Sequence, residues 1–195
     1  MLVRGSLHTF MPRASSPQSE PGAARFATAL QRGDVAVFEQ LYRAWFHDLC
    51  KYVSTFVPDD DAGDIVQDVF LSIWKNRSRV TARTDQDLFH YLLRSVRNRA
   101  LDVVRHERVR DRYASAEDAS QVSSEEAASS VDEVFARIGP LIETLPARSR
   151  EVLILRWYHG LGFEQIASIM GISYGSTHVL HARALAMVRK QLGVP

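Results

Sequence analysis

Gly171 divides two stretches of opposite character, and that division constrains the chain more than any other feature. Before it stands a short apolar run, Ile166-Ala167-Ser168-Ile169-Met170. After Ile172 and Ser173 the chain runs from Tyr174 to Leu192 and carries His178, His181, Arg183, Arg189 and Lys190. Glycine adopts the left-handed backbone of a tight turn without steric cost. The pattern therefore predicts a short helix, a turn and a longer basic helix, the arrangement that lays its second helix in the major groove of DNA. Alone, it implies nothing beyond DNA binding.

The rest of the chain also reads as helix. Phe38, Leu41, Tyr42, Trp45, Leu49, Val53 and Phe56 recur at three- and four-residue steps, with Asp34 as N-cap and Pro58 as terminator. A second helix begins in the aspartate cluster, where carboxylates suit the positive end of the helix dipole. Its apolar stripe is Ala62, Ile65, Val66, Val69, Phe70 and Ile73, with Asp64, Gln67, Asp68 and Leu71 on another face. A third helical stretch starts near Asp87 through Leu88, Tyr91, Leu92 and Val96. Asn98, a poor helix former, is expected to break it before Leu101 and Val104 resume. Pro146 should open a further helix through Tyr158, and His159-Gly160-Leu161-Gly162 reads as a turn. No strand alternation or hairpin turn pair competes.

Large aliphatics nearly vanish between Tyr113 and Ser130, a stretch rich in Ser, Ala and Glu. That composition predicts a flexible linker. The expected organisation is all-α: a disordered tail over 1–24, one small helical domain over 25–112, a linker over 113–130 and a second helical domain over 131–195. Met11 is a second candidate start. Hydrophobic content of 46% is too high for general disorder. The net charge of +1 hides segregation. Seven arginines crowd Arg94 to Arg112, and five aspartates fall between Asp59 and Asp68. Such blocks imply distinct partner surfaces. Cys50 is the single cysteine, which excludes an intramolecular disulfide and fits a reducing cytoplasm. No apolar run approaches the roughly 20 residues of a membrane helix.

Several short signatures then occur in a fixed order. They are Asp64-Ile65-Val66-Gln67-Asp68-Val69-Phe70-Leu71-Ser72-Ile73-Trp74; Tyr91-Leu92 with Asn98, Asp102 and Arg105; Leu145-Pro146; Arg150-Glu151-Val152; Glu164-Gln165-Ile166-Ala167; Gly171-Ile172-Ser173; and Arg183-Ala184-Leu185. Together, around a polar linker, they resemble an extracytoplasmic-function sigma factor of bacterial RNA polymerase over roughly Phe26 to Leu192. Departures from the family pattern are Tyr91 for the usual Trp, Gly63 for a frequent Glu and Gly162 for a capping Ser or Thr. Ser176-Thr177-His178 replace Thr-Val-Lys, and His181 takes a usually aliphatic position.

The resemblance implies two domains, the second a helix-turn-helix, and no covalent chemistry or cofactor of the chain's own. Asp64, Gln67, Asp68 and Leu71 would dock on the clamp helices of the largest polymerase subunit. Asn98 would sit at a loop that cradles a base flipped from the minus-ten element, where an amide offers both donor and acceptor. Arg97, Arg99 and Arg105 would hold phosphates. Tyr91 is either a stacking platform or a core ring. Tyr174, Ser176, His178, Val179 and Arg183 would face the minus-thirty-five element, with either Val179 or Leu180 turned into the core. Release from an anti-sigma partner is the regulation the resemblance implies, with no membrane insertion.

Rival readings rest on fewer residues. His47 with Cys50 and His178 with His181 each lack the four ligands of a structural zinc site. The aspartate cluster read as a two-metal nuclease site would need converging carboxylates. A helix-turn-helix regulator acting without polymerase would bind its duplex alone.

Overall fold

The computed structural model describes residues 23–113 and 140–192, and every regular element among them is helical. The amino-terminal unit holds α1 (Arg25–Arg32), α2 (Val35–Val53), α3 (Asp59–Lys75) and α4 (Asp85–Tyr113). The carboxy-terminal unit holds α5 (Ala147–Leu153), a π-helical turn (Ile154–Tyr158), α6 (Phe163–Met170) and α7 (Tyr174–Leu192). Of the tail expected over 1–24 and the linker expected over 113–130, residues 1–22 and 114–130 lie outside the described residues, as do 131–139 of the expected second domain.

Local chemistry sets the boundaries. Asp34 caps α2 by accepting from the Val37 amide. Asp59, Asp60 and Asp61 occupy the first turn of α3 and oppose its positive end. Thr84 and Asp87 bond reciprocally to each other's amides at the start of α4. Hydrogen bonding to the carboxyl, first from the Thr84 side chain and then from the Thr84 and Arg83 amides, holds Asp87 below its usual range. Asp85 accepts from the Ala27 amide at 2.9 Å and so ties α1 to α4.

The stripe read on α3 is buried in full. It meets Leu41, Trp45, Leu49 and Val53 of α2 and Leu88, Phe89, Leu92, Leu93 and Val96 of α4 in one apolar cluster. Cys50 lies against that cluster, and burial pushes its thiol up to about 11, away from thiolate chemistry.

One expected boundary is corrected. Asn98 does not break α4, which continues for 29 residues. A single asparagine costs only about 0.7 kcal/mol of helix propensity. The buried stripe from Leu88 through Ala100 offsets that several times over.

The two units are docked, an arrangement the expected tether did not suggest. Val152, Leu155, Tyr158, Leu161, Ile166 and Ile169 belong to the same apolar cluster as the amino-terminal core. Polar groups close the seam. The Glu151 carboxylate accepts from Arg97 Nε at 2.6 Å and from Tyr52 Oη at 2.8 Å. Tyr158 Oη donates to Asp48 at 3.1 Å. The His159 ring packs edge-on against Tyr52 and tilts against Phe89.

Candidate nucleic-acid interface

Gly171 ends α6 with φ of +64°, and the Ile172 amide bonds back to the Ala167 carbonyl. The turn read from the sequence is therefore present in its expected left-handed form. At the start of α6, Gly162 lacks a capping hydroxyl. Its amide instead donates to Gln165 Oε1 at 2.8 Å, which is half of a capping box. Ser173 then caps α7 through the Ser176 amide.

Along α7 the two faces separate cleanly. Thr177, Ala184 and Val188 are buried, and Leu180 packs on the core. Tyr174, Ser176, His178, Val179 and Arg183 are exposed. The alternative at Val179 or Leu180 is settled: Leu180 turns inward, and Val179 is 49% exposed. His181 is half-buried and packs edge-on against Phe163 at 5.1 Å. Burial first, then the charges of Arg156 and His178, hold its pKa below the usual histidine value. A neutral ring there fills the volume an aliphatic side chain would. His178 lies over Phe163 at 3.9 Å and against Tyr174 at 4.6 Å, so its ring is oriented before any ligand arrives.

On the amino-terminal unit, Asp64, Gln67, Asp68 and Leu71 are all exposed along one side of α3. Tyr91 is also exposed, with 45% of its surface free, which decides against a core ring. A groove of about 490 Å³ runs between α3 and α4, lined by Asp68, Val69, Ser72, Ile73, Tyr91 and Ser95. Arg99 reaches across it to Asp68 at 3.0 Å. The candidate polymerase face and the candidate minus-ten face thus share a groove wall and an ion pair. Asn98 is exposed on helix rather than in a loop. Arg105 is exposed and pairs with Asp102 at 3.3 Å.

Arg97 is placed differently from its expected role. It is 8% exposed and held by Glu151, so in this arrangement it is not the free cation that a phosphate contact requires. No local signal reveals this, because its partner lies 54 positions away in sequence. Glu151 and His159 appear in the sequence reading only within a signature and a turn, and Tyr52 and Asp48 carry no spacing signal. Among the described residues, no three His, Cys, Asp or Glu side chains gather as a metal site, and no helix is long and apolar enough to cross a membrane.

The chain matches the family description "Sigma-70 region 2" over residues 41–110 and "Sigma-70, region 4" over residues 141–190. It is 30% identical to RNA polymerase sigma-H factor of Pseudomonas aeruginosa over 84% of this chain and 90% of that one. It is 27% identical to the ECF RNA polymerase sigma-E factor of Escherichia coli over 75% of this chain and 82% of that one. Solved structures that share the fold include two with a TM-score of 0.59 each. One is CnrH in complex with the cytosolic domain of CnrY, with 22% identity over 86% of this chain and 95% of that one. The other is the sigma factor RpoE with the anti-sigma factor NepR from Bartonella quintana, with 21% identity over 82% of this chain and 99% of that one. With both sigma-70 regions in order on an all-helical frame, the chain belongs to the RNA polymerase sigma factors of the extracytoplasmic-function type.

Proposed function

We propose that this sigma factor brings core RNA polymerase to its promoters through the α3 face, reads the minus-thirty-five element with α7, and helps open the minus-ten element with α4. The observation that carries this reading is the sorting of side chains. Asp64, Gln67, Asp68 and Leu71 share one exposed side of α3, while Tyr174, Ser176, His178, Val179 and Arg183 are exposed on α7. Tyr91, Asn98 and Arg99 are the exposed minus-ten candidates, with Arg105 further along α4. The chain does no covalent chemistry in this reading; the polymerase does. Its place of work is the cytoplasm, where polymerase and promoters are. An anti-sigma protein is the proposed negative regulator, since a neighbour in fold is seen bound to one.

Charge reversal tests the polymerase face. Asp64→Arg with Asp68→Arg should weaken binding to purified core polymerase by roughly 10- to 100-fold, about 1.5–3 kcal/mol. Helicity should persist, since both carboxylates are exposed. Asp64→Arg alone separates this effect from loss of the Asp68–Arg99 pair. Full affinity in a folded double variant would remove α3 from the interface.

His178 is the proposed base reader on α7, because packing against Phe163 and edge-on against Tyr174 orients its ring. His178→Ala should reduce transcription unequally across a saturation library of the minus-thirty-five element, with about 1–3 kcal/mol lost at one base pair. A uniform loss would assign His178 to phosphate contact. No loss would shift base reading to Ser176 and Val179.

A further inference from the structure

We propose that Glu151, Arg97 and Tyr52 form a latch that closes the carboxy-terminal unit over the amino-terminal one in the free chain, and that it must release before both promoter elements are held at once. The second half of this statement rests on the sigma-factor reading above.

The geometry of the seam supports a latch. Glu151 is 3% exposed, and each of its hydrogen-bond donors lies across the seam. Arg97 grips it with two nitrogens, Nε at 2.6 Å and Nη2 at 3.5 Å. Tyr52 adds a hydroxyl to the same oxygen that Arg97 Nε uses. Burial, then the Glu151 charge, raises the Tyr52 pKa well above its usual value, so the phenol stays a donor. Asp48 and Tyr158 make a second polar tie. Each of these bonds joins a group of one unit to a group of the other.

A polar seam suits closure that must later be undone. A buried ion pair gains little net stability over an apolar pair, because both charges recover hydration when they part. It does demand its own partner, since removing one side strands the other charge. Closure held this way is specific and reversible together.

Distances require the release. Promoter elements centred about 25 base pairs apart lie ~85 Å apart along B-form DNA. Two docked units of about 144 residues in total have a radius of gyration near 15 Å and span only about 40 Å. The described units are joined by about 26 residues, which reach at most ~90 Å when fully extended. The chain can cover both elements only with the seam parted. Parting also frees Arg97 on α4, next to the exposed Asn98 and Arg99.

Closure taxes binding. If only a fraction of free chains is open, the apparent dissociation constant rises by the inverse of that fraction. Glu151→Gln in the full chain keeps the shape but leaves Arg97 charged and unpaired in the seam. The closed-to-open ratio should fall by about 100-fold or more, the usual consequence of stranding one buried charge. Tyr52→Phe removes a single hydroxyl and should act in the same direction, by about tenfold. It serves as the milder variant if Glu151→Gln unfolds.

Small-angle X-ray scattering of the free full chain reads closure directly. The parent should be compact, Tyr52→Phe intermediate and Glu151→Gln extended, all with native helicity. The Arg97→Glu, Glu151→Arg exchange should restore compactness. In reconstituted transcription, Glu151→Gln should saturate core polymerase on a promoter at lower concentration than the parent. Folded variants as compact as the parent would overturn the latch. Extended variants with no gain at the promoter would overturn its inhibitory role. Absence of promoter-specific transcription by the parent itself would instead count against the sigma-factor reading, while leaving the scattering result to judge the latch.

Discussion

Replacing Phe89 with alanine should cost about 3–5 kcal/mol of stability, the range for emptying a large aromatic from a packed core. Phe89 is 1% exposed. Its ring meets Trp45 of α2 edge-on at 5.2 Å and tilts against His159 at 5.7 Å. The resulting void would therefore open on two sides, toward the amino-terminal core and toward the seam. Such walls collapse poorly because they belong to separate helices. Urea unfolding of the full chain, followed by circular dichroism, should show the midpoint falling sharply. If the docked units unfold together, a single transition should move. If they unfold separately, the amino-terminal transition should move most. A loss under about 1.5 kcal/mol would mean that the site refills, and that Phe89 is not the keystone its contacts describe. Phe89→Leu, which keeps most of the volume, should recover the greater part of the loss.

Local features of this fold were legible because they depend on neighbours in sequence. Asp34 caps α2 as read, and Gly171 ends the short helix α6 as read. The α3 stripe from Ala62 to Ile73 is the buried one, and its four off-stripe residues face solvent. Periodicity carries this information, since it fixes which side chains share a helical face. It failed where competition decided the outcome. Asn98 was expected to interrupt α4, yet its small propensity cost loses to the packing of Leu92, Leu93 and Val96. Val179 and Leu180 were indistinguishable by type, and only the register of α7 on α6 turns Leu180 inward. The seam was not legible at all. Arg97 on an arginine-rich helix reads as a phosphate contact, and Glu151 stands in the Arg150-Glu151-Val152 signature with no partner assigned. Their pairing joins residues 54 positions apart, and Tyr52 meets Glu151 across 99. No pattern within one helix encodes contacts at that separation.

The seam should also be sensitive to acid, and His159 is the group that makes it so. His159 is 2% exposed and lies among Tyr52, Phe89 and Tyr158. Burial, and then the nearby charge of His90, lowers its pKa to about 3. His90 is itself held below the usual value by burial, an effect Asp87 partly opposes. Tyr158 meanwhile donates to Asp48, and Tyr52 to Glu151. When the units part, His159 meets water and regains a value near 6.5. The docked state therefore favours neutral imidazole. Its full stability is present above about pH 6.5 and is lost progressively as pH falls toward 3. At pH 5 the expected loss is about 2 kcal/mol, or roughly 30-fold in the closed-to-open ratio. Scattering between pH 7.5 and 5 should show the chain expanding while helicity holds. His159→Phe preserves an aromatic ring without a titrating nitrogen, so it should stay compact at pH 5. Expansion of both chains alike would assign the acid response to groups other than His159. Compactness of both would mean that His159 keeps its surroundings after the units separate.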